Sequence, residues 1–376
     1  MHPPLPNGTL INDLGVSQFR CFEDLRIDHV GRVNLIVGRN NVGKSSLLEA
    51  LRLYATAAAP QVLWELLVAR DEHRRITSEE VGPSGSDAPA LLSLFYGRKS
   101  ASDITQPIRI GPERQKLEIS LEWFHEVMDS EVGRRLEPAQ SSLFEMSPDL
   151  VPALAIRLGD ISRRLRLDRS FDIYRRRYYV RPDSSPESSE PCVFVGSGAL
   201  NAGHLARMWD RIVLGDLEAE VTSALAIMTP RIERISFVEG GHERERTPRA
   251  KVTGVGQAVP LKSLGEGVNR LFGMVLALVN AKDGMLLVDE IENGIHHTIQ
   301  GDLWRLMIAL AERLNVQVFA TTHSTDCVKA FQRATRDRND VVGVLTRLEF
   351  SNGSVQASQF DEEELTIATR EGIEVR

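Results

Sequence analysis

The fold is decided by one short stretch of the sequence, Gly38-Arg39-Asn40-Asn41-Val42-Gly43-Lys44-Ser45. The apolar residues 33–37 before it predict a buried strand, and the leucines of residues 44–57 recur at helical spacing. A glycine-rich loop between a strand and a helix lets successive backbone N–H groups face one phosphate, and the helix dipole adds positive potential there. The stretch therefore predicts a loop that holds the phosphates of a nucleotide.

The spacing G-x-x-x-x-G-K-[ST] gives the polar side chains of the loop separate roles. It assigns the Lys44 ammonium to the β- and γ-phosphates and the Ser45 hydroxyl to Mg²⁺. The other expected nucleotide contacts are Gly38, Arg39, Asn40, Asn41, Gly43 and Ser46. We expect the nucleotide to be bound together with Mg²⁺. A GTP-dependent switch protein is not expected, because residues 280–283 read Asn-Ala-Lys-Asp, which is the wrong order for the base-reading N-K-x-D motif of that class.

Two acidic residues follow a very apolar predicted strand. Residues 285–288 read Met-Leu-Leu-Val, and Asp289 and Glu290 come next. The carboxyl ends of parallel strands form the ligand crevice of such sheets. We therefore expect Asp289 to bind Mg²⁺, directly or through water, and Glu290 to orient and deprotonate the attacking water. The alternative is a strand end that carries two solvated acids.

Histidines occur at two places near these acids. His323 ends the next predicted strand, and we expect it to contact the γ-phosphate. The pair His296 and His297, with Glu292, is better explained by a loop at a subunit contact than by a metal site.

A second candidate phosphate contact lies far along the chain, before a helix predicted over residues 267–280. Small residues at a helix start offer free N–H groups to a phosphate. The candidate nucleotide contacts in this motif are Ser263, Gly265, Glu266 and Gly267. The sequence leaves open which nucleotide they touch.

Along the chain the four motifs come in the order phosphate loop, Ser263 motif, acid pair and His323. In this order they resemble the ABC-type ATPases of the RecF, SMC and OLD (overcoming lysogenization defect) group. The resemblance covers roughly residues 16–57 and 258–330. It implies ATP hydrolysis in a head-to-tail homodimer or higher oligomer, in which Ser263 and Gly265 of one subunit close over ATP held by Lys44 of the other.

The resemblance also implies a setting for the ATPase. It places Asn293 near the dimer contact, and too few residues follow His323 for the TOPRIM nuclease domain of full-length OLD proteins. It therefore implies a stand-alone ATPase in anti-phage defence, with a nuclease or other effector as a separate protein. A RecF-like DNA-repair ATPase and an ATP-dependent scaffold with negligible turnover remain as alternatives. The glutamine that links Mg²⁺ to the helical lobe in this group stays open among Gln61, Gln106 and Gln115.

The predicted fold class is α/β, a P-loop NTPase of ABC type with a mainly parallel core sheet. An antiparallel β subdomain and a helical lobe are expected between the phosphate loop and the second motif. Residues 1–60 are expected to form the N-terminal part of the core, and residues 256–376 its C-terminal part. Residues 61–255 form the insertion, with a linker near residues 182–191.

Apolar periodicity predicts three further elements. They are one strand over residues 19–27, a β-meander over residues 151–181 and one long helix over residues 203–228. Arginines interleaved with tyrosines are concentrated in the meander, which suits phosphate contacts and base stacking on DNA. The alternative is a solvated sheet face. The nine arginines are Arg157, Arg163, Arg164, Arg166, Arg169, Arg175, Arg176, Arg177 and Arg181.

Composition excludes several classes of protein. The 376 residues carry a formal net charge of −7 and 42% hydrophobic residues, which argues against wholesale disorder and against a surface that is basic throughout. The three cysteines are widely separated and odd in number, so no disulfide framework is expected. No apolar run approaches the roughly 20 residues that span a bilayer. We expect a cytoplasmic protein without a membrane partner.

Overall fold

This computed structural model describes residues 11–72, 88–98, 103–129, 133–138, 150–166, 192–198, 200–229, 231–239, 246–336 and 343–360. Within these ranges the chain forms three β-sheets and eight α-helices. The helices are α1 (Lys44–Ala55), α2 (Pro60–Ala69), α3 (Ala88–Leu92), α4 (Ala202–Asp210), α5 (Asp216–Met228), α6 (Glu266–Asn280), α7 (Gln300–Arg313) and α8 (Thr325–Arg336).

The strands are β1 (Leu14–Phe19), β2 (Phe22–Ile27), β3 (Val33–Gly38), β4 (Ile108–Gly111), β5 (Leu117–Asp129), β6 (Gly133–Pro138), β7 (Leu150–Leu158), β8 (Ile161–Arg166), β9 (Cys192–Val195), β10 (Ile232–Glu239), β11 (Arg246–Val252), β12 (Val259–Pro260), β13 (Met285–Val288), β14 (Gln317–Thr321), β15 (Gly343–Ser351) and β16 (Ser354–Phe360).

The core sheet has six strands in the order β16-β15-β3-β14-β13-β9. All neighbours in it are parallel except β15 and β16, which form an antiparallel hairpin at one edge. Every residue of β3, β13 and β14 is buried, as expected for parallel strands covered on both faces. The carboxyl ends of β3, β13 and β14 therefore meet at one edge, where the phosphate loop and the acid pair begin.

Two layers cover the core sheet. Helices α4 to α8 pack on one face in one continuous apolar cluster, in which the rings of Trp209 and Phe272 lie 6.1 Å apart. Helix α1 packs on the other face and is covered in turn by the antiparallel sheet β2-β1-β4-β5-β7-β8, with β6 paired to β5. The helix that follows the phosphate loop is thus held between two sheets. A third sheet, β10-β11-β12, lies in the first layer. The predicted fold class is confirmed.

Two predicted elements are wrong in detail. The single strand over residues 19–27 is the hairpin β1–β2, in which Phe19 pairs with Phe22. The turn needs left-handed backbone at Arg20, with φ 54°, and alternating apolar residues do not reveal it. The single helix over residues 203–228 is α4 followed by α5. It breaks where Leu214 has φ 66° and Gly215 is extended ahead of α5.

The insertion between the motifs is only partly described. Strands β7 and β8 account for the first part of the predicted meander. The remainder of the meander and the linker at residues 182–191 lie outside the described residues. Strand β9 follows directly and pairs with β13 in the core sheet. The core sheet therefore includes a strand from within residues 61–255, and the domain boundaries stay a prediction.

No helix in the described part of the chain is long and apolar enough to cross a membrane. Cys21, Cys192 and Cys327 are all free. Burial raises the pKa of the Cys192 and Cys327 thiols to about 12, so both are neutral near pH 7.

Candidate nucleotide site

The phosphate loop has a backbone that only glycine tolerates at two places. Gly38 has φ 146°, and a Cβ there would lie 2.4 Å from the carbonyl oxygen of Leu348 on β15. Gly43 has φ 108°, and a Cβ there would lie 2.6 Å from the Sγ of Cys21. Asn41 is also left-handed, with φ 63°. These turns curl the loop over the end of β3.

Helix α1 begins with free donors. Its first backbone hydrogen bond runs from the N–H of Leu47 to the carbonyl of Gly43, over 2.9 Å. The N–H groups of Lys44, Ser45 and Ser46 therefore have no acceptor within the helix, which is the usual setting for an anion. The buried hydroxyl of Ser46 accepts a 2.9 Å hydrogen bond from Arg70.

The Lys44 ammonium points into the curl of the loop. Its Nζ donates to the carbonyl of Gly38 over 2.7 Å and to that of Arg39 over 3.0 Å. Burial lowers the pKa of Lys44, and the nearby Asp289 and Glu290 oppose this effect. A phosphate oxygen is a stronger acceptor than a carbonyl, so a bound triphosphate would replace these contacts.

Ser45 and Asp289 meet across the sheet edge, although they are far apart in the chain. The Ser45 hydroxyl donates to Oδ2 of Asp289 over 2.9 Å, and the Thr321 hydroxyl donates to Oδ1 over 2.6 Å. A hydroxyl and a carboxylate are the hard oxygen ligands that Mg²⁺ uses beside phosphate oxygens and water. The two side chains therefore fit the predicted Mg²⁺ site.

Glu290 is held in a strained position next to that pair. Its φ of 50° is unusual for a residue with a side chain, and its N–H donates to Thr321 Oγ1 over 2.9 Å. Its Oε2 accepts a 2.5 Å hydrogen bond from Asn293, whose amide also reaches the carbonyl of Ser197. The side chain is 34% exposed. Backbone strain that the surroundings maintain is typical of functional sites.

His323 lies on the other side of Glu290. Its Nδ1 is 3.6 Å from Oε1 of Glu290 and 3.4 Å from Oε1 of Glu292. The buried Glu292 also accepts the backbone N–H of His323 over 3.1 Å, so it positions the start of the loop after β14. The structure thus brings the predicted catalytic side chains Glu290 and His323 into one cluster with Asp289.

The predicted second phosphate-binding motif lies at the start of α6. Ser263, Gly265 and Glu266 are exposed, and a Cβ on Gly267 would lie 3.0 Å from the carbonyl of Gly294. No hydrogen bond or ion pair among the described residues joins this motif to the phosphate loop. The motif is therefore placed beside the loop of Asn293 and is open to solvent.

Arg270 is a functional candidate that the sequence analysis missed. It is 5% exposed on α6, one turn after Glu266. Its guanidinium donates to the carbonyls of Gly196 (2.9 Å), Gly198 and Asp289 (3.3 Å). It thus joins the helix of the second motif to the ends of β9 and β13. The available signal was a single arginine in an otherwise apolar stretch of helix.

Replacing Arg270 with methionine is expected to lower ATP turnover by about 10²-fold, because a small displacement of the Asp289 backbone misplaces the reacting groups. ATP affinity should change little, since the phosphate loop is untouched. Turnover and equilibrium ATP binding are measured on the same preparation, with Arg313→Met on the exposed part of α7 as control. Equal losses of affinity and turnover would contradict a positioning role.

The candidate glutamines and the His296–His297 pair have no described hydrogen bond to the Ser45–Asp289 pair. Gln61 donates to Glu65 on α2, and no described hydrogen bond connects Gln61, Gln106 or Gln115 to the Ser45–Asp289 pair. The ring centroids of His296 and His297 lie 4.2 Å apart, and the ring planes are tilted by 38° to each other. No cluster of three metal-binding side chains occurs among the residues that the structure describes.

The arginine-rich segment is described only up to Arg166. Arg157 donates to Ser120 and Glu122, and Arg164 lies 5.0 Å from the ring centre of Phe124. These two arginines are engaged within the antiparallel sheet. The five arginines from Arg169 to Arg181 lie outside the described residues, so DNA binding stays untested.

The phosphate loop lies on a parallel sheet, and its Ser45 is hydrogen-bonded to Asp289 at the end of a neighbouring strand. These features make the chain a P-loop ATPase of ABC type. A second motif exposed on a separate helix agrees with that class. The family is shown by a match over residues 33–326: the chain belongs to the family described as AAA domain, putative AbiEii toxin, Type IV TA system. The resemblance inferred from the motifs is confirmed.

Individual proteins are similar to most of the chain. An ATP/GTP phosphatase of Helicobacter pylori is 24% identical over 347 residues, covering 88% of this chain and 90% of that protein. The solved structure of the SMC head bound to the C-winged helix domain of ScpA is 13% identical, with a TM-score of 0.49. The match covers 96% of this chain and 100% of the SMC head chain. The SMC head domain from Thermotoga maritima is 12% identical, with a TM-score of 0.43. That match covers 94% of this chain and 100% of the Thermotoga maritima chain.

Proposed function

We propose that the chain hydrolyses ATP with Glu290 as general base, and that a second copy completes the site with Ser263 and Gly265. One observation carries the proposal: the 2.9 Å hydrogen bond between Ser45 and Asp289 joins the phosphate loop to the acid pair. This contact supports a nucleotide whose γ-phosphate end lies beside Glu290. The name of the Helicobacter pylori relative, an ATP/GTP phosphatase, supports the same chemistry.

The residues divide the chemistry among them. Lys44 and the free N–H groups of α1 hold the β- and γ-phosphates, and Glu290 takes a proton from the attacking water. Mg²⁺, when bound by Ser45 and Asp289, supplies positive charge that offsets the charge of the transferred phosphoryl group. In this proposal His323 donates to the γ-phosphate, and its contacts with Glu292 support a role in transmitting the presence of that phosphate to the loop of Glu292.

Replacing Lys44 with alanine is expected to weaken ATP binding by about 10- to 150-fold, since one hydrogen bond to a charged group contributes about 1.5–3 kcal/mol. The affinity is measured by calorimetry with Mg²⁺ present. Lys282→Ala, at an exposed lysine after α6, is the control and should bind ATP normally. If Lys44→Ala binds ATP as tightly as the parent chain, the nucleotide does not occupy this loop.

The argument that a second copy completes the site is the solvent exposure of the second motif. Ser263 and Gly265 are exposed although their residue types suit a phosphate, and no described hydrogen bond links them to the phosphate loop of their own chain. Asn293 bonds Glu290 from the neighbouring loop, so a partner that docks on this loop would act directly on the base. An ATP-dependent homodimer or higher oligomer follows from this proposal.

We further propose that ATP-dependent assembly acts on a separate effector, such as a nuclease, in bacterial anti-phage defence in the cytoplasm. The family description, which names a putative toxin of a type IV TA system, supports a defence role. Affinity capture in ATP and in ADP, followed by mass spectrometry, tests it. A nuclease retained only in ATP is the expected result. Repair proteins would favour a RecF-like role, and an absence of ATP-dependent partners would contradict the proposal.

A further inference from the structure

An open groove of about 490 Å³ lies beside the phosphate loop. Residues 39–42 of the loop line one side of it, and the β15–β16 hairpin lines the other. Strand β15 pairs with β3 on the side opposite to β14, and Asp289 follows β13, which lies beyond β14. The groove and the acid pair are therefore on opposite sides of the phosphate loop.

This arrangement orients a nucleotide. Its γ-phosphate belongs beside Glu290, as the proposed function requires, so its α-phosphate points the other way. The ribose and base follow the α-phosphate and must leave the loop on the side of β15. The groove is the space on that side.

The hairpin presents an aromatic ring to this groove. Leu348 pairs with Gly38, the last residue of β3, so β15 continues for three residues beyond the start of the phosphate loop. Phe350 lies in that extension and is 71% exposed. It is the only aromatic side chain among the described residues that line the groove. Its neighbours Arg347 and Glu349 also line the groove and form an ion pair of 3.3 Å.

We propose that the groove is the binding site for the nucleoside half of the nucleotide and that the purine base stacks on Phe350. An aromatic ring in water gains from a planar base that covers it, and stacking of this kind accepts every purine because each has a π-face. The inference rests on the proposed function, since it takes the position of the triphosphate from it. It adds a base-binding residue that lies outside the phosphate-binding motifs.

The test distinguishes the contribution of the base to binding affinity from that of the phosphates. Dissociation constants for ATP and for inorganic tripolyphosphate are measured, both with Mg²⁺, on the full chain and on Phe350→Ala. The variant should bind ATP about 5- to 150-fold more weakly, the range that base–aromatic stacking supports, and tripolyphosphate equally well. GTP should lose as much affinity as ATP.

Two further variants make the result specific. Phe350→Trp keeps a stacking surface and should restore ATP binding, whereas Val255→Ala removes an exposed apolar side chain elsewhere and should change nothing. Unchanged ATP binding by Phe350→Ala, or an equal loss for ATP and tripolyphosphate, would overturn the inference and leave the proposed function standing. A parent chain that binds neither compound would overturn both.

Discussion

Replacing Glu290 with glutamine is expected to lower the rate of ATP hydrolysis by about 10²- to 10⁴-fold, the usual contribution of a positioned general base. Glutamine keeps the size and the polar end of the side chain but cannot accept the proton of the attacking water. Lys44 and the N–H groups of α1 are unaffected, so ATP affinity should be retained. Bound ATP should then persist, and the ATP-dependent dimer should accumulate.

Phosphate release and molecular mass in solution are measured for the parent chain and for Glu290→Gln, in ATP and in ADP. Glu239→Gln, an exposed glutamate at the end of β10, is the matched control and should behave like the parent. Turnover by Glu290→Gln at the parental rate would show that another group activates the water. Tight ATP binding without any change in mass would contradict completion of the site by a second copy.

Replacing Glu49 with alanine is expected to reduce the free energy of unfolding by about 3–5 kcal/mol, because it breaks a buried ion-pair cluster from one side. Glu49 lies on α1 and bonds Arg20 over 3.2 Å and Arg70 over 2.7 Å. The Arg20 side chain is 4% exposed and also reaches Glu72 over 2.5 Å. Removal of the Glu49 carboxylate leaves the buried Arg20 guanidinium with Glu72 as its one remaining acidic partner among the described residues.

Urea unfolding followed by fluorescence measures this loss. The control is Glu118→Ala, which breaks the ion pair with Arg109 on the exposed sheet surface and should cost about 0–1 kcal/mol. The cluster also holds the phosphate-loop helix, because Arg70 donates to Ser46. Glu49→Ala should therefore weaken ATP binding as well. A loss no larger than that of Glu118→Ala would show that the cluster does not stabilise the fold.

Much of the site follows from the order of residues because parallel strands share an edge. A glycine loop after β3 and two acids after β13 must come together once both strands join the same sheet, and Ser45 bonds Asp289 as this requires. Thr321 was not predicted. It lies next to Asp289 because Val288 pairs with Ala320, a register that is known only from the structure. The strained φ of Glu290 has no counterpart in the sequence.

Other features depend on partners that are remote in the chain. In the sequence Arg270 is a single arginine in a largely apolar helix. Its hydrogen bonds to three backbone carbonyls at the ends of other strands are visible only in the structure. The turn at Arg20 and the break between α4 and α5 near Leu214 depend on left-handed backbone conformations, which hydrophobic periodicity does not predict. The edge position of β9 is decided by pairing with β13.

The sequence by itself determined the class of the protein, because glycines at fixed spacing, a lysine and strand-end acids are local requirements of phosphate chemistry. The tertiary structure alone decided which side chains hold Glu290, where the second motif lies, and that an exposed ring faces the groove beside the phosphate loop. These depend on strand order and on the length of β15 beyond β3, which are set by packing between segments hundreds of residues apart.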